Sequence, residues 1–127
     1  MKNPHTINWF EVPVTDIARA TTFFETLMDV TLEKMDYGPH KMAMFPADKN
    51  TETMTVHGSL IQGEGYTPST NGTVLYFNGG NDLSIALNKV ETAGGKVTMP
   101  KTAIGENGFI AMFEDTEGNR LALHSPN

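Results

Sequence analysis

The chain carries the same apolar pattern twice. Ile17, Ala20, Phe24 and Leu27 fall on Leu83, Ala86, Val90 and Ala93 at one constant offset. Each set has the spacing of one helix face. A run rich in aromatic and β-branched residues precedes each helix, at 7–14 and at 73–78. Three shorter strand-like runs follow each one. Such a chain is expected to be α+β: two βαβββ modules forming a curled mixed sheet with a central cleft. A helix covers one face of each sheet. The opposite face is left for the other module, a partner chain or a ligand.

The punctuation agrees with this division. Asp16 and Asp82 stand where helix N-caps belong. Gly94-Gly95 stops the second helix, because glycine accepts the left-handed conformation there. In module one, strands are expected at 31–37, 40–45 and 53–61, with Met42 and Met44 on one face and Ala43 on the other. In module two, a strand at 96–99 is expected to break at Pro100, and 108–114 with 120–124 to form a hairpin. Gly63, Gly65, Pro68 and Gly72 mark a connector over 63–72. One domain is therefore expected over 1–127, with module one at about 5–62 and module two at about 73–125.

Composition narrows the function. The absence of cysteine removes disulfides, zinc–thiolate sites and a thiol nucleophile. A formal net charge of −6 argues against nucleic acid, which needs a basic footprint. It suits neutral or cationic small molecules, or serves solubility alone. Residues 1–11 lack a signal-peptide core, and no stretch approaches the roughly 20 apolar residues of a membrane span. A cytoplasmic location with no membrane partner is expected. The pairs Gly79-Gly80 and Gly94-Gly95 lack dinucleotide spacing, and no Gly-x-Ser-x-Gly elbow occurs.

Three stretches carry a resemblance over nearly the whole chain. The first is Phe10-Glu11-Val12-Pro13-Val14-Thr15-Asp16-Ile17, followed by Phe23-Phe24. The second runs from Asp82 to Gly95. The third is Glu114-Asp115-Thr116-Glu117-Gly118-Asn119-Arg120-Leu121. Together they resemble the vicinal oxygen chelate superfamily: glyoxalase I, bleomycin-resistance proteins, fosfomycin-resistance enzymes and extradiol dioxygenases. The details are most similar to a glyoxalase-like bacterial branch. The resemblance implies a homodimer. It also implies a divalent metal held by two ligands from each module's first and last strands. That metal would polarise neighbouring substrate oxygens.

Aligned on that resemblance, the ligand positions fall on Trp9, about Gly58, Thr73 and Ala122. None suits a divalent ion, so the cofactor is left open and no metal ligand is assigned. Glu11 and His124 lie two residues further along their strands, on the same faces as Trp9 and Ala122. They are the candidate catalytic pair, as base or ligand and as acid–base group. Glu11 is alternatively a structural carboxylate paired with Arg120, and His124 a surface histidine. Trp9, His57, Met42, Met44, Tyr66 and Met112 are candidate ligand contacts; core or linker roles compete for each. The loop 105–108 can form a rim, with Lys101 holding an anion. His5 and His40 are expected in solvent. Three functions follow: binding of a small organic molecule without a metal; a metal-dependent lyase, isomerase or dioxygenase using Glu11 and His124; or an assembly protein whose cleft is filled.

Overall fold

The computed structural model describes residues 6–47 and 56–127. The two halves are there, each as one four-stranded sheet. Module one has β1 (Trp9–Pro13), α1 (Ile17–Met28), β2 (Glu33–Tyr37), β3 (His40–Met44) and β4 (His57–Gln62). Its strand order is β1-β4-β3-β2. Module two has β5 (Tyr76–Asn78), α2 (Ser84–Leu87), β6 (Lys96–Ala103), a 3₁₀ turn at Gly105–Asn107, β7 (Phe109–Glu114) and β8 (Arg120–Ser125). Its order is β5-β8-β7-β6. In each sheet the first and last strands pair parallel and the other pairs are antiparallel.

α1 forms as its pattern demands. Asp16 accepts a hydrogen bond from the Arg19 amide at 3.1 Å, and Ala20, Phe23, Phe24 and Leu27 are buried. The helix ends at Asp29, which takes the left-handed conformation at φ 52°. Phe24 joins both modules: its ring lies 5.8 Å from Phe45 and 5.6 Å from Phe77. One core therefore contains Val12, Leu60, Phe77, Leu83, Phe113 and Leu123 from both sheets.

The second helix is shorter than its pattern suggests. Only Ser84–Leu87 is α-helical, and the chain continues in turns to Gly94, at φ 109°. Leu83, Ala86 and Val90 are still buried; the apolar face survives although the regular helix does not. Pro100 does not break its strand. β6 passes through it to Ala103, with one register shift between Val97 and Met99 and another between Met99 and Thr102, across the proline. As β6 is a sheet edge, a missing N–H and a bulge are tolerated there. The module-two strand expected from Thr73 begins at Tyr76. His40 opens β3 and is half-buried instead of lying in solvent, with its ring 5.3 Å from Tyr66. His5 and the start of the strand expected at 53–61 lie outside the described residues.

The turn between β7 and β8 ties the modules together. Asp115 Oδ1 accepts from the Glu117 and Asn119 amides, both at 2.8 Å. Asn119 Nδ2 donates to the Pro13 carbonyl at 2.7 Å. Glu117 reaches the start of α1, accepting from the Thr15 and Asp16 amides at 2.9 Å and from Arg19 Nε at 2.7 Å.

Candidate functional site

Strand pairing sorts the side chains by face. In module one, Val12, Ala43 and Leu60 enter the core. The opposite face collects Trp9, Glu11, His57, Ser59, Met42 and Met44, through the pairs Trp9 with His57, Glu11 with Ser59, Met42 with Ile61 and Met44 with Ser59. Trp9 meets His57 edge-on at 5.2 Å. His57 Nε2 lies 2.6 Å from the Phe45 carbonyl. Ser59 is fully buried, and its hydroxyl has no hydrogen-bond partner among the described residues.

In module two, Phe77, Ala111 and Leu123 enter the core. Tyr76, Asn78, Ile110, Met112, Ala122 and His124 share the other face. Tyr76 pairs with Ala122, and Asn78 with His124. The positions where first and last strands meet are thus Trp9 with His57, and Tyr76 with Ala122. Trp9 opens β1 and Ala122 lies in β8. Gly58 faces the core, where a Cβ would come within 2.4 Å of the Phe10 ring. Thr73 precedes β5, and the strand partner of Ala122 is Tyr76. His57 is the one metal donor among these four, and its Nε2 faces a carbonyl oxygen. No cluster of three metal-ligating side chains occurs among the described residues. The described residues do not fit the superfamily's metal.

Two hollows adjoin β5. One, of about 670 Å³, is lined by Tyr76, Asn78, Asn107, Ile110 and His124, with Ile104 at its rim. The other, of about 700 Å³, is apolar, with Phe10, Met28, Phe45, Val56 and Phe77 in its wall. Tyr76, Phe77 and Asn78 belong to both. Each volume suits a small-molecule site. A third depression of about 390 Å³ runs along β1 and contains Glu11 and Arg120. Arg120 Nη2 donates to the Gly72 carbonyl at 2.7 Å, and no Glu11–Arg120 ion pair forms among the described residues.

Of the candidate residues, His124 lines the 670 Å³ hollow, and its Nε2 lies 2.6 Å from the Asn107 carbonyl. Glu11 lines the β1 depression, which His124 does not. Trp9, His57, Met42 and Met44 share the module-one face; Met112 lies on the module-two face. Tyr66 packs against His40. Lys101 bonds Asp82 at 2.9 Å and sits 4.6 Å over the Phe109 ring. Asp82 is held at about 2 by hydrogen bonds from Lys101 and then Ser84. Asn107 belongs to the loop 105–108 expected as a rim; the lining residues that sequence reasoning missed are Tyr76, Asn78 and Ile110. The repeat does not lead to Asn78, because its helix offset places Glu11 on Phe77.

Two duplicated βαβββ units sharing one core, with open faces beside their parallel strand pairs, define a glyoxalase-like α+β fold. The family model described as Glyoxalase/Bleomycin resistance protein/Dioxygenase superfamily matches residues 6–123, and the chain belongs to that superfamily. A glyoxalase/bleomycin resistance protein from Albidiferax ferrireducens superposes with a TM-score of 0.71 at 14% identity, over 97% of this chain and 100% of that one. An antibiotic-binding protein from Streptomyces gives 0.64 at 22% identity, over 100% and 99%. A glyoxalase I variant from Zea mays gives 0.71 at 23% identity over 97% of this chain, which spans only 47% of the maize protein. No curated protein matches. No helix among the described residues is long and apolar enough to cross a membrane.

Proposed function

We propose that the protein binds a small organic molecule in the hollows beside β5, without the superfamily's metal. The observation that carries this reading is the adjoining pair of hollows, of about 670 and 700 Å³, divided by Tyr76–Asn78. One offers amide and imidazole groups; the other offers aromatic and aliphatic walls. Mostly apolar lining with a few placed polar groups is the usual make-up of a ligand site. The strand-pair positions support the metal-free part of the reading, since Trp9, Tyr76 and Ala122 are not donors for a divalent ion. The antibiotic-binding relative is consistent with binding as the activity. The protein is further proposed to act in the cytoplasm as a homodimer, through the exposed faces carrying Trp9, Met35 and Tyr37.

Elemental analysis of protein expressed with added nickel, zinc, manganese and iron tests the first claim. Substoichiometric metal is expected, together with thermal stabilisation by flat aromatic compounds. Stoichiometric metal that disappears in Glu11→Ala or His124→Ala would instead establish the displaced-site enzyme.

A further inference from the structure

We infer that Asn78 and His124 form one hydrogen-bonding edge that recognises a cyclic amide or imide through its adjacent C=O and N–H. This rests on the reading that the β5 hollows hold a small molecule, and it names the chemistry held there.

The two residues are register partners on the parallel strands β5 and β8, and both line the 670 Å³ hollow. Register partners on neighbouring strands stand about 5 Å apart, close enough to meet neighbouring atoms of one ligand. Asn78 Oδ1 accepts from the Gly80 amide at 2.9 Å. That bond fixes the side-chain amide, so its Nδ2 hydrogens remain to donate. His124 Nε2 lies 2.6 Å from the Asn107 carbonyl. A carbonyl oxygen only accepts, so Nε2 carries the proton and Nδ1 of the neutral ring carries the lone pair. Among the described residues, no protein group bonds either Nδ2 of Asn78 or Nδ1 of His124.

The edge is therefore a donor beside an acceptor. Its complement is an acceptor beside a donor. Tyr76 flanks the pair on the same sheet face, and Ile110 is the partner of His124 on the other side. An aromatic ring and an aliphatic side chain suit a flat ring bearing that polar edge. A ligand lacking the N–H would cover the half-exposed His124 lone pair without matching it, and this mismatch weakens binding.

Titration of ¹⁵N-labelled protein with 2-pyridone and with N-methyl-2-pyridone tests the pairing. 2-Pyridone should shift the amide resonances of β5 and β8, and the N-methyl compound should bind roughly tenfold more weakly. Asn78→Asp keeps Oδ1 for the Gly80 amide but replaces the donor with an oxygen. It should lose a similar factor towards 2-pyridone while resonances outside β5 and β8 stay in place. Equal affinity for the two pyridones, or an Asn78→Asp protein that binds unchanged, overturns the inference and leaves small-molecule binding standing. Failure of both pyridones to bind overturns the inference; if flat aromatic compounds also give no thermal shift, the reading of the hollows falls with it.

Discussion

At the scale of single residues, two carboxylates in one turn have opposite electrostatic fates. Burial pushes the Asp115 carboxyl up, against hydrogen bonds from Asn119 and the Glu117 amide. Burial also pushes Glu117 up, but hydrogen bonds from Arg19, Thr116, Asp16 and Thr15 outweigh it and hold the group at about 2, below its ordinary 4.5. Because that folded value is depressed, the stability contributed by Glu117 is present above pH 4.5. It is lost as the pH falls towards about 2. Asp115 has the reverse sign: protonation on acidification relieves a cost. Glu117→Gln should thus destabilise the protein at pH 7 by roughly 2 kcal/mol, because charge-assisted bonds to Arg19 and two amides weaken. The wild type should lose its advantage over the variant between pH 4.5 and 2. Urea denaturation across that range checks both. An unchanged difference at low pH would mean that the Glu117 charge is not what holds the turn to α1.

At the scale of elements, α1 is the brace between the sheets. Phe24 is fully buried and its ring meets Phe23, Phe45 and Phe77. Phe24→Ala should cost roughly 3–5 kcal/mol and lower Tm by about 10–20 °C, with both modules lost in one calorimetric transition. Ile85→Ala, on the exposed side of α2 at 67% accessibility, should change stability by less than about 0.5 kcal/mol. Two separate transitions for Phe24→Ala would show that the halves are independent. The elements were legible in the sequence where period and caps agreed, as in α1 with Asp16 and its four apolar positions. They were less legible where tertiary context decided the outcome. Leu83, Ala86 and Val90 announce a buried face, yet only one turn of α-helix forms, since burial requires the face and not the full length. Pro100 reads as a break, but an edge strand forgives it. The candidate site was half legible. His124 and the side-chain alternation could be read directly. The partnership of Asn78 with His124 depends on parallel register across some forty-six residues of chain, which no local pattern encodes.

At the scale of the whole molecule, the duplication leaves each sheet with one face in the shared core and one face turned away from it. On module one that second face presents Tyr37 at 76% exposure, Met35 at 47% and Trp9 at 38%. Apolar surface of this kind is usually covered. Light scattering after size exclusion should give twice the mass of the chain, and Tyr37→Glu combined with Met35→Glu should shift it to monomer. A wild-type monomer at micromolar concentration would remove the dimer from the proposal. The brevity of β5 has a further consequence for how the chain tolerates changes in length. Its three residues alternate, with Phe77 committed to the interior and Tyr76 and Asn78 to the outside. Upstream of Ser69, which bonds Asn119 and Arg120, the connector can lengthen or shorten and still deliver the strand in phase. One residue gained within the strand itself exchanges inside for outside, emptying the dividing wall of its aromatic filling and burying an amide. Changes in loop length are thus easiest before Ser69, and constrained from Ser69, Gly72 and Leu75, which bond Asn119, Arg120 and Ala122, onward into β5.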